Sequence, residues 1–184
     1  MAAEPEAASE LEQTPKPEPE HAAGDFRVPD GYEVIEGSGD ANGRGVGIVV
    51  AKFNGEITRR LLQRALDELE EAGIERDAVT IVPVPGAFEL PLAAMALAKT
   101  RKYACIVALG CVIRGDTRHF DFVAGEAASG LQLAAIETGV PVSFGVLTTE
   151  TTEQAEARID RAADAVQSAL EMAGLFAELR SAAK

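Results

Sequence analysis

Only one histidine lies outside the acidic N-terminal stretch. It is His119, in the segment Cys111-Val-Ile-Arg-Gly-Asp-Thr-Arg-His-Phe-Asp-Phe122. Imidazole titrates nearest to neutral pH of any unperturbed side chain, which makes His119 the natural proton carrier. The segment follows an apolar run, Ala104 to Gly110, that reads as a buried parallel strand. It precedes a long apolar-periodic stretch that reads as a helix. Strand, glycine-bearing turn and helix in that order leave unpaired backbone N–H groups at a helix N-terminus, which favours an anion. A proton carrier beside an anion cradle points to chemistry on a phosphorylated small molecule. The competing reading is a solvent-exposed histidine in a helix cap.

Other residues invite the same two-sided reading. Phe53 stands where a strand ends and a helix begins. It is either a stacking platform for a planar heterocycle or a hydrophobic staple for the next helix. Pro85-Gly86 is a turn that brings backbone donors close to a ligand, with Ala87, Phe88 and Glu89 beyond it. Glu89 either complements a helix dipole or holds a polyol or ring N–H. Arg158 is either a solvated surface arginine or a guanidinium that clamps phosphate.

These residues need a scaffold, and the chain supplies an alternating one. Val46 to Ala51 reads as a strand and Glu56 to Ala72 as a helix. Val79 to Val84 is a strand, followed by a helix from about Ala87 to Thr100. Ala104 to Leu109 is a strand, with a helix from about Arg118 to Thr138. Val140 to Leu147 is a strand, and Thr152 to Leu179 is helical, opened by a capping box of Thr151 with Gln154. Four such units imply a three-layer, doubly wound α/β fold with a four-stranded parallel sheet. Tyr32 to Glu36 alternates well enough for a short extra N-terminal strand. Ligands of such sheets lie outside the carboxyl ends of the strands. Lys52–Gly55, Pro85–Glu89, Cys111–His119 and Thr148–Thr151 all fall there.

Composition narrows the function classes. A net charge of −13 argues against a nucleic-acid or anionic-membrane partner. Residues 1–25 hold seven acids against Lys16 alone, with four prolines, and read as a disordered acidic tail before a domain spanning 26–184. The tail lacks the features of a signal or transit peptide. No run approaches the roughly 18 apolar residues of a membrane helix, so a soluble, cytoplasmic chain is expected. Cys105 and Cys111 would sit about 20 Å apart on one strand, too far for a disulfide, and read as buried thiols of a reducing compartment. No zinc-ligand spacing and no P-loop are present. The segment Leu90 to Ala98 is apolar on nearly every face, which places it in the core or against a second chain. The seam Ala155, Ile159, Ala162, Val166, Ala169, Ala173 and Phe176 is open to the same reading. An oligomer is expected.

Four segments together resemble the lumazine synthase family. They are Lys52-Phe-Asn54, Val84-Pro-Gly-Ala-Phe-Glu-Leu-Pro91, Ala108 to Phe122, and Val140 to Glu150 with Glu153-Gln154. The resemblance implies a flavodoxin-like fold and the penultimate step of riboflavin synthesis. In that step 5-amino-6-(D-ribitylamino)uracil condenses with 3,4-dihydroxy-2-butanone 4-phosphate, releasing phosphate and water. It implies that Phe53 stacks on the pyrimidinedione and that Ala87, Phe88 and Glu89 hold the ribitylamine. Cys111, Val112 and Ile113 would line the heterocycle pocket through their main chain. Asp116, by its N–H, and Thr117 would bind phosphate, with Arg158 as the cationic ligand. His119 would transfer protons, and Phe144 would close the heterocycle site of a neighbouring subunit. No metal or organic cofactor is implied. Pentamers are, and pentamers of this kind also build closed icosahedral shells of about 60 subunits. The family's Gly- and Lys-containing linker after the arginine is shortened here. Arg158 to Asp164 is expected to run on as helix, and Arg161 takes the lysine's place if the alignment is anchored from the C-terminus. Two other classes compete with an enzyme: a shell-forming compartment protein with secondary catalysis, and a phosphate- or flavin-binding module without turnover.

Overall fold

The computed structural model describes residues 26–182, so the expected acidic tail lies outside the described residues. The chain divides into two units after Val34, and the second, from Ile35 onward, carries the secondary structure. Its elements alternate: β1 (Gly45–Ala51), α1 (Gly55–Glu71), β2 (Val79–Val84), α2 (Leu90–Lys99), β3 (Tyr103–Ile113), α3 (His119–Thr138), β4 (Val142–Thr149), α4 (Thr152–Glu156) and α5 (Arg161–Ala182). The four strands are all parallel, in the order β2-β1-β3-β4.

Side chains of the central strands alternate between two faces, as a period of two requires. Ile48, Val50, Val107 and Leu109 join Leu61 and Leu69 of α1 and Val166 and Leu170 of α5 in one core. Val49, Ile106 and Ala108 join Leu90 of α2 and Leu131 of α3 in the other. Helices cover both faces, so β1 and β3 are buried along most of their length and apolar throughout. The three-layer doubly wound sandwich therefore follows directly from the strand and helix pattern. On one side α2 and α3 approach closely at Gly130, where a Cβ would lie only 2.7 Å from Pro91 Cβ.

The structure corrects the sequence reading in several places. Tyr32 to Glu36 forms no strand. A strand is held by its ladder, and among the described residues none pairs with this segment, which leaves Tyr32, Val34 and Ile35 exposed. β3 runs four residues beyond Leu109, because β4 continues the ladder out to the pair Ile113 and Thr149. Cys111 to Ile113 is thus strand, and the turn is compressed into residues 114–118. Ala87 to Glu89 is a separate 3-10 turn leading into α2.

The largest correction concerns the last helix. Arg158 to Asp164 does not run straight on. α4 ends at Glu156, residues 157–160 are turns, and α5 starts at Arg161. Arg158, Arg161, Ala162 and Ala163 donate their N–H groups to the carbonyls three residues back, at 2.9–3.1 Å, in place of the α-helical partners four back. That tightening redirects the chain, so that α5 lies along β3 and β4 against α1. The apolar seam accordingly faces this chain's own sheet, with Ala155, Ala162, Val166, Ala169 and Ala173 all buried there. Half of α2 does the same through Leu90, Ala94 and Ala98, whereas Leu92 stays 76% exposed.

Candidate active site

Strand order reverses between β1 and β3, and the crevice outside their carboxyl ends is the topological switch point of the sheet. A cleft of about 590 Å³ opens there. Three chain segments build it. At the end of β1, the N–H of Lys52 reaches the Val84 carbonyl (2.8 Å) and that of Phe53 reaches Pro85 O (3.1 Å). These bonds tie the first segment to the second and present Phe53, 70% exposed, to the cleft. Asn54 follows in the left-handed region (φ 56°), and its side-chain amide donates to the Cys111 carbonyl at 2.9 Å. One asparagine thereby joins the first segment to the third. An αL position is costly for most side chains, but a short amide that bonds locally tolerates it.

In the second segment, Glu89 Oε2 accepts the Gly86 N–H at 2.9 Å. A Cβ at residue 86 would stand 3.2 Å from that oxygen, so glycine gives the carboxylate room to fold back. Glu89 thus serves its own turn with one oxygen and lines the cleft beside Ala87 and exposed Phe88. The dipole and ligand readings of this residue are compatible.

The third segment carries Cys111, Val112, Ile113, Gly115, Thr117 and His119, all at the same cleft. Burial pushes the Cys111 thiol up to about 11, so it is neutral at ordinary pH and offers the cleft its backbone rather than a thiolate. α3 opens at His119 with Arg118 before it and no side-chain cap on the helix end. The His119 N–H leans on Thr117 Oγ1 at a long 3.4 Å. The Asp121 N–H already reaches the Arg118 carbonyl at 3.1 Å, so those of His119 and Phe120 are the first-turn groups with least competition for an anion. Among the described residues the imidazole itself has no hydrogen-bond partner. Asp116 sits in this turn, exposed, but does not line the cleft.

Phe144 and Arg158 are elsewhere. They line a second cleft, of about 480 Å³, between β4 and the start of α5, together with Arg161 and Asp164. The two clefts share no residue. Arg158 lies in the turn between α4 and α5 rather than on a helix, and its Nη1 donates to the Gln154 carbonyl at 2.8 Å. Arg161, the first residue of α5, is paired with Asp164 at 2.9 Å. Thr151 caps α4 by accepting from the Gln154 N–H, as its capping-box position anticipates.

Sequence reasoning missed several residues of the first cleft: Asn54, Phe120, Phe122 and Val123. An asparagine next to a glycine at a strand end is a readable turn signal. The aromatic pair had no such signal, since helix-face aromatics usually read as core.

A cleft at the switch point, with an uncapped helix end, a histidine and an exposed aromatic, defines an α/β enzyme for a small anionic or heterocyclic substrate. The family model for 6,7-dimethyl-8-ribityllumazine synthase matches residues 43–177, and the chain belongs to that family. It is accordingly a transferase of riboflavin biosynthesis that acts on small molecules and self-associates. No helix among the described residues is long and apolar enough to cross a membrane. Among the same residues no group of three or more His, Cys, Asp or Glu is placed to hold a metal.

Proposed function

We propose that the chain condenses 5-amino-6-(D-ribitylamino)uracil with 3,4-dihydroxy-2-butanone 4-phosphate, and that each active site is built from the first cleft of one subunit and the second cleft of its neighbour in a pentameric ring. The observation that carries this reading is the convergence of Phe53, Ala87–Glu89, Cys111–Ile113, Thr117 and His119 on one cleft. Of the three remaining residues of the motif set, Phe144 and Arg158 converge on a different cleft, and Asp116 lies in the turn beside the first. Exposed Leu92, Phe122, Leu133 and Ile136 give a monomer more open apolar surface than it needs, which supports association.

Each group then has a task. Phe53 stacks on the pyrimidinedione, with Phe144 of the neighbour covering its other side. The backbone of Cys111 to Ile113 reads the ring edge. Ala87 and Phe88 contact the ribityl chain, and the free oxygen of Glu89 accepts from it. The Asp116 N–H, Thr117 and the open end of α3 cradle the phosphate, and Arg158 of the neighbour supplies the positive charge. The Asp116 carboxylate would repel an anion, so only its N–H serves there.

The reaction is a series of proton transfers. The ring amine adds to the ketone carbon, and the carbinolamine loses water to give an imine. Loss of a proton from the adjacent carbon expels phosphate from the terminal carbon, and the enol returns to a ketone. The ribitylamine nitrogen closes on that carbonyl and a second water leaves. Inorganic phosphate and two waters balance the equation, and no electron acceptor is consumed. A histidine at the mouth of the cleft can accept and return each proton near neutral pH. Holding both reactants supplies much of the remaining acceleration. Purified protein is mixed with both substrates, and the lumazine chromophore is followed. Its appearance with equimolar phosphate release supports the reading. Binding of either substrate without product would leave a binding module instead.

A further inference from the structure

We infer that Arg114 is a positioning residue that sets the pose of His119 by clamping the end of β4 to the first turn of α3. The inference rests on the reading of His119 as the proton carrier. Arg114 is the first residue after β3. Its N–H donates to Thr149 O at 2.9 Å, so the backbone continues the ladder one step past the strand. Its Nε lies 2.9–3.0 Å from the two carboxylate oxygens of Glu150. Nη1 lies 3.0 Å from Asp121 Oδ1, and the guanidinium carbon stands 4.2 Å from the centroid of the Phe120 ring. Phe120 and Asp121 are the two residues directly after His119.

Only arginine fits this set. The planar fork presents N–H groups in two directions to two carboxylates while its face stacks on an aromatic ring, which the ammonium of lysine cannot do at once. The pattern also separates Arg114 from the phosphate ligands. Two carboxylates already surround one guanidinium, leaving excess negative charge, and Arg114 does not line the cleft, whereas its neighbours Gly115, Thr117, His119 and Phe120 do. It acts through them. Its reach extends the other way as well. The Glu150 N–H donates to Gln154 Oε1 at 2.9 Å, and the Gln154 carbonyl accepts from Arg158 at 2.8 Å. One chain of contacts thus links the His119 turn to the Arg158 turn within a subunit.

The test compares the full-length wild type with Arg114→Gln, Arg114→Lys and Glu150→Gln in steady-state kinetics, thermal melting and NMR of the His119 ring. His119→Ala is the control for the underlying reading. A misplacement of about 1 Å in a site of this kind costs up to roughly 100-fold. Arg114→Gln is therefore expected to lower kcat about 10- to 100-fold with less than about a 3-fold change in either KM. Lysine should rescue only part of the loss, and Glu150→Gln should lower kcat in the same direction. The His119 ring signals should move in Arg114→Gln, a change that does not depend on what His119 does in catalysis. Wild-type kcat and unmoved ring signals with a lowered melting temperature would overturn the inference and leave a structural clamp. A raised KM for the butanone phosphate at wild-type kcat would overturn it too, making Arg114 a ligand. Full activity in His119→Ala would instead remove the reading of His119, while the ring signals of Arg114→Gln still report whether Arg114 sets its pose.

Discussion

Mixing two crippled variants tests the division of the active site between two clefts. His119→Ala disables the first cleft of a chain and leaves its second intact, and Arg158→Ala does the reverse. The first should slow turnover roughly 10- to 1000-fold, at or below the usual range for general acid–base catalysis, because proximity still supplies part of the rate. The second removes a charge-assisted contact of about 1.5–3 kcal/mol, a loss of roughly 10- to 150-fold at low butanone phosphate. Each variant alone thus works at or below about a tenth of the wild-type rate. In a ring assembled at random from equal amounts, a complete site needs an Arg158→Ala chain supplying the first cleft and a His119→Ala neighbour supplying the second. Each condition holds half the time, so about one site in four is whole. Co-expression, or joint unfolding and refolding, mixes the chains before assembly, and lumazine formation is then measured at limiting butanone phosphate. Recovery to about a quarter of the wild-type rate is expected. A rate no higher than the mean of the two single variants would mean that His119 and Arg158 serve one site within one chain, and the composite arrangement would be wrong.

Arg158→Ala should raise KM for the butanone phosphate far more than that for the uracil. Arg161→Ala should have a smaller effect in the same direction, because its guanidinium is already paired with Asp164 at 2.9 Å while Arg158 holds only a carbonyl; a larger effect at Arg161 would reverse the assignment. Burial pushes Cys105 up to about 12 and Cys111 to about 11, against 9.0 for an ordinary thiol. Between pH 9 and those values the unfolded chain has lost protons that the folded chain keeps, so stability is full below pH 9 and falls as pH rises; melting curves that stay flat across this window would contradict the burial. A thiol reagent should find neither cysteine in native protein at pH 8 and both in denaturant. Leu90→Ala, which empties a fully buried site at the start of α2, should cost about 2–5 kcal/mol, read by urea titration, and should lower activity by loosening Glu89 next to it.

The sheet was legible because its central strands, β1 and β3, are apolar over their whole length and its helices are periodic. Val79–Val84 matches the structure to the residue. The site motifs were legible for a related reason. Phe53, Pro85-Gly86, Glu89 and His119 are residue types that strand ends and helix starts do not need for folding alone. The break between α4 and α5 was not legible. Arg158-Ile-Asp-Arg161 contains neither glycine nor proline, and its apolar spacing continues across the turn. What bends it is the packing of α5 against β3, β4 and α1, which no local propensity encodes.

By itself, then, the sequence determined a doubly wound sheet, placed the reactive residues at the carboxyl ends of its strands, and carried the motifs of a riboflavin-pathway transferase. Those properties are written in local periodicity and in the order of elements, so they survive without knowledge of any long-range contact. Only the tertiary structure decided that His119 and Arg158 belong to separate clefts, although both lie at strand ends. β4 is the outermost strand on its side, and Arg158 in the turn after α4 lines a cleft against β4 and α5 rather than the one at the switch point between β1 and β3. The pairing of Arg114 with Glu150, 36 residues away, and of Asn54 with Cys111, 57 away, was likewise fixed only when the parallel ladder set its register. Register comes from burying two apolar faces at once, and that is a property of the whole sheet.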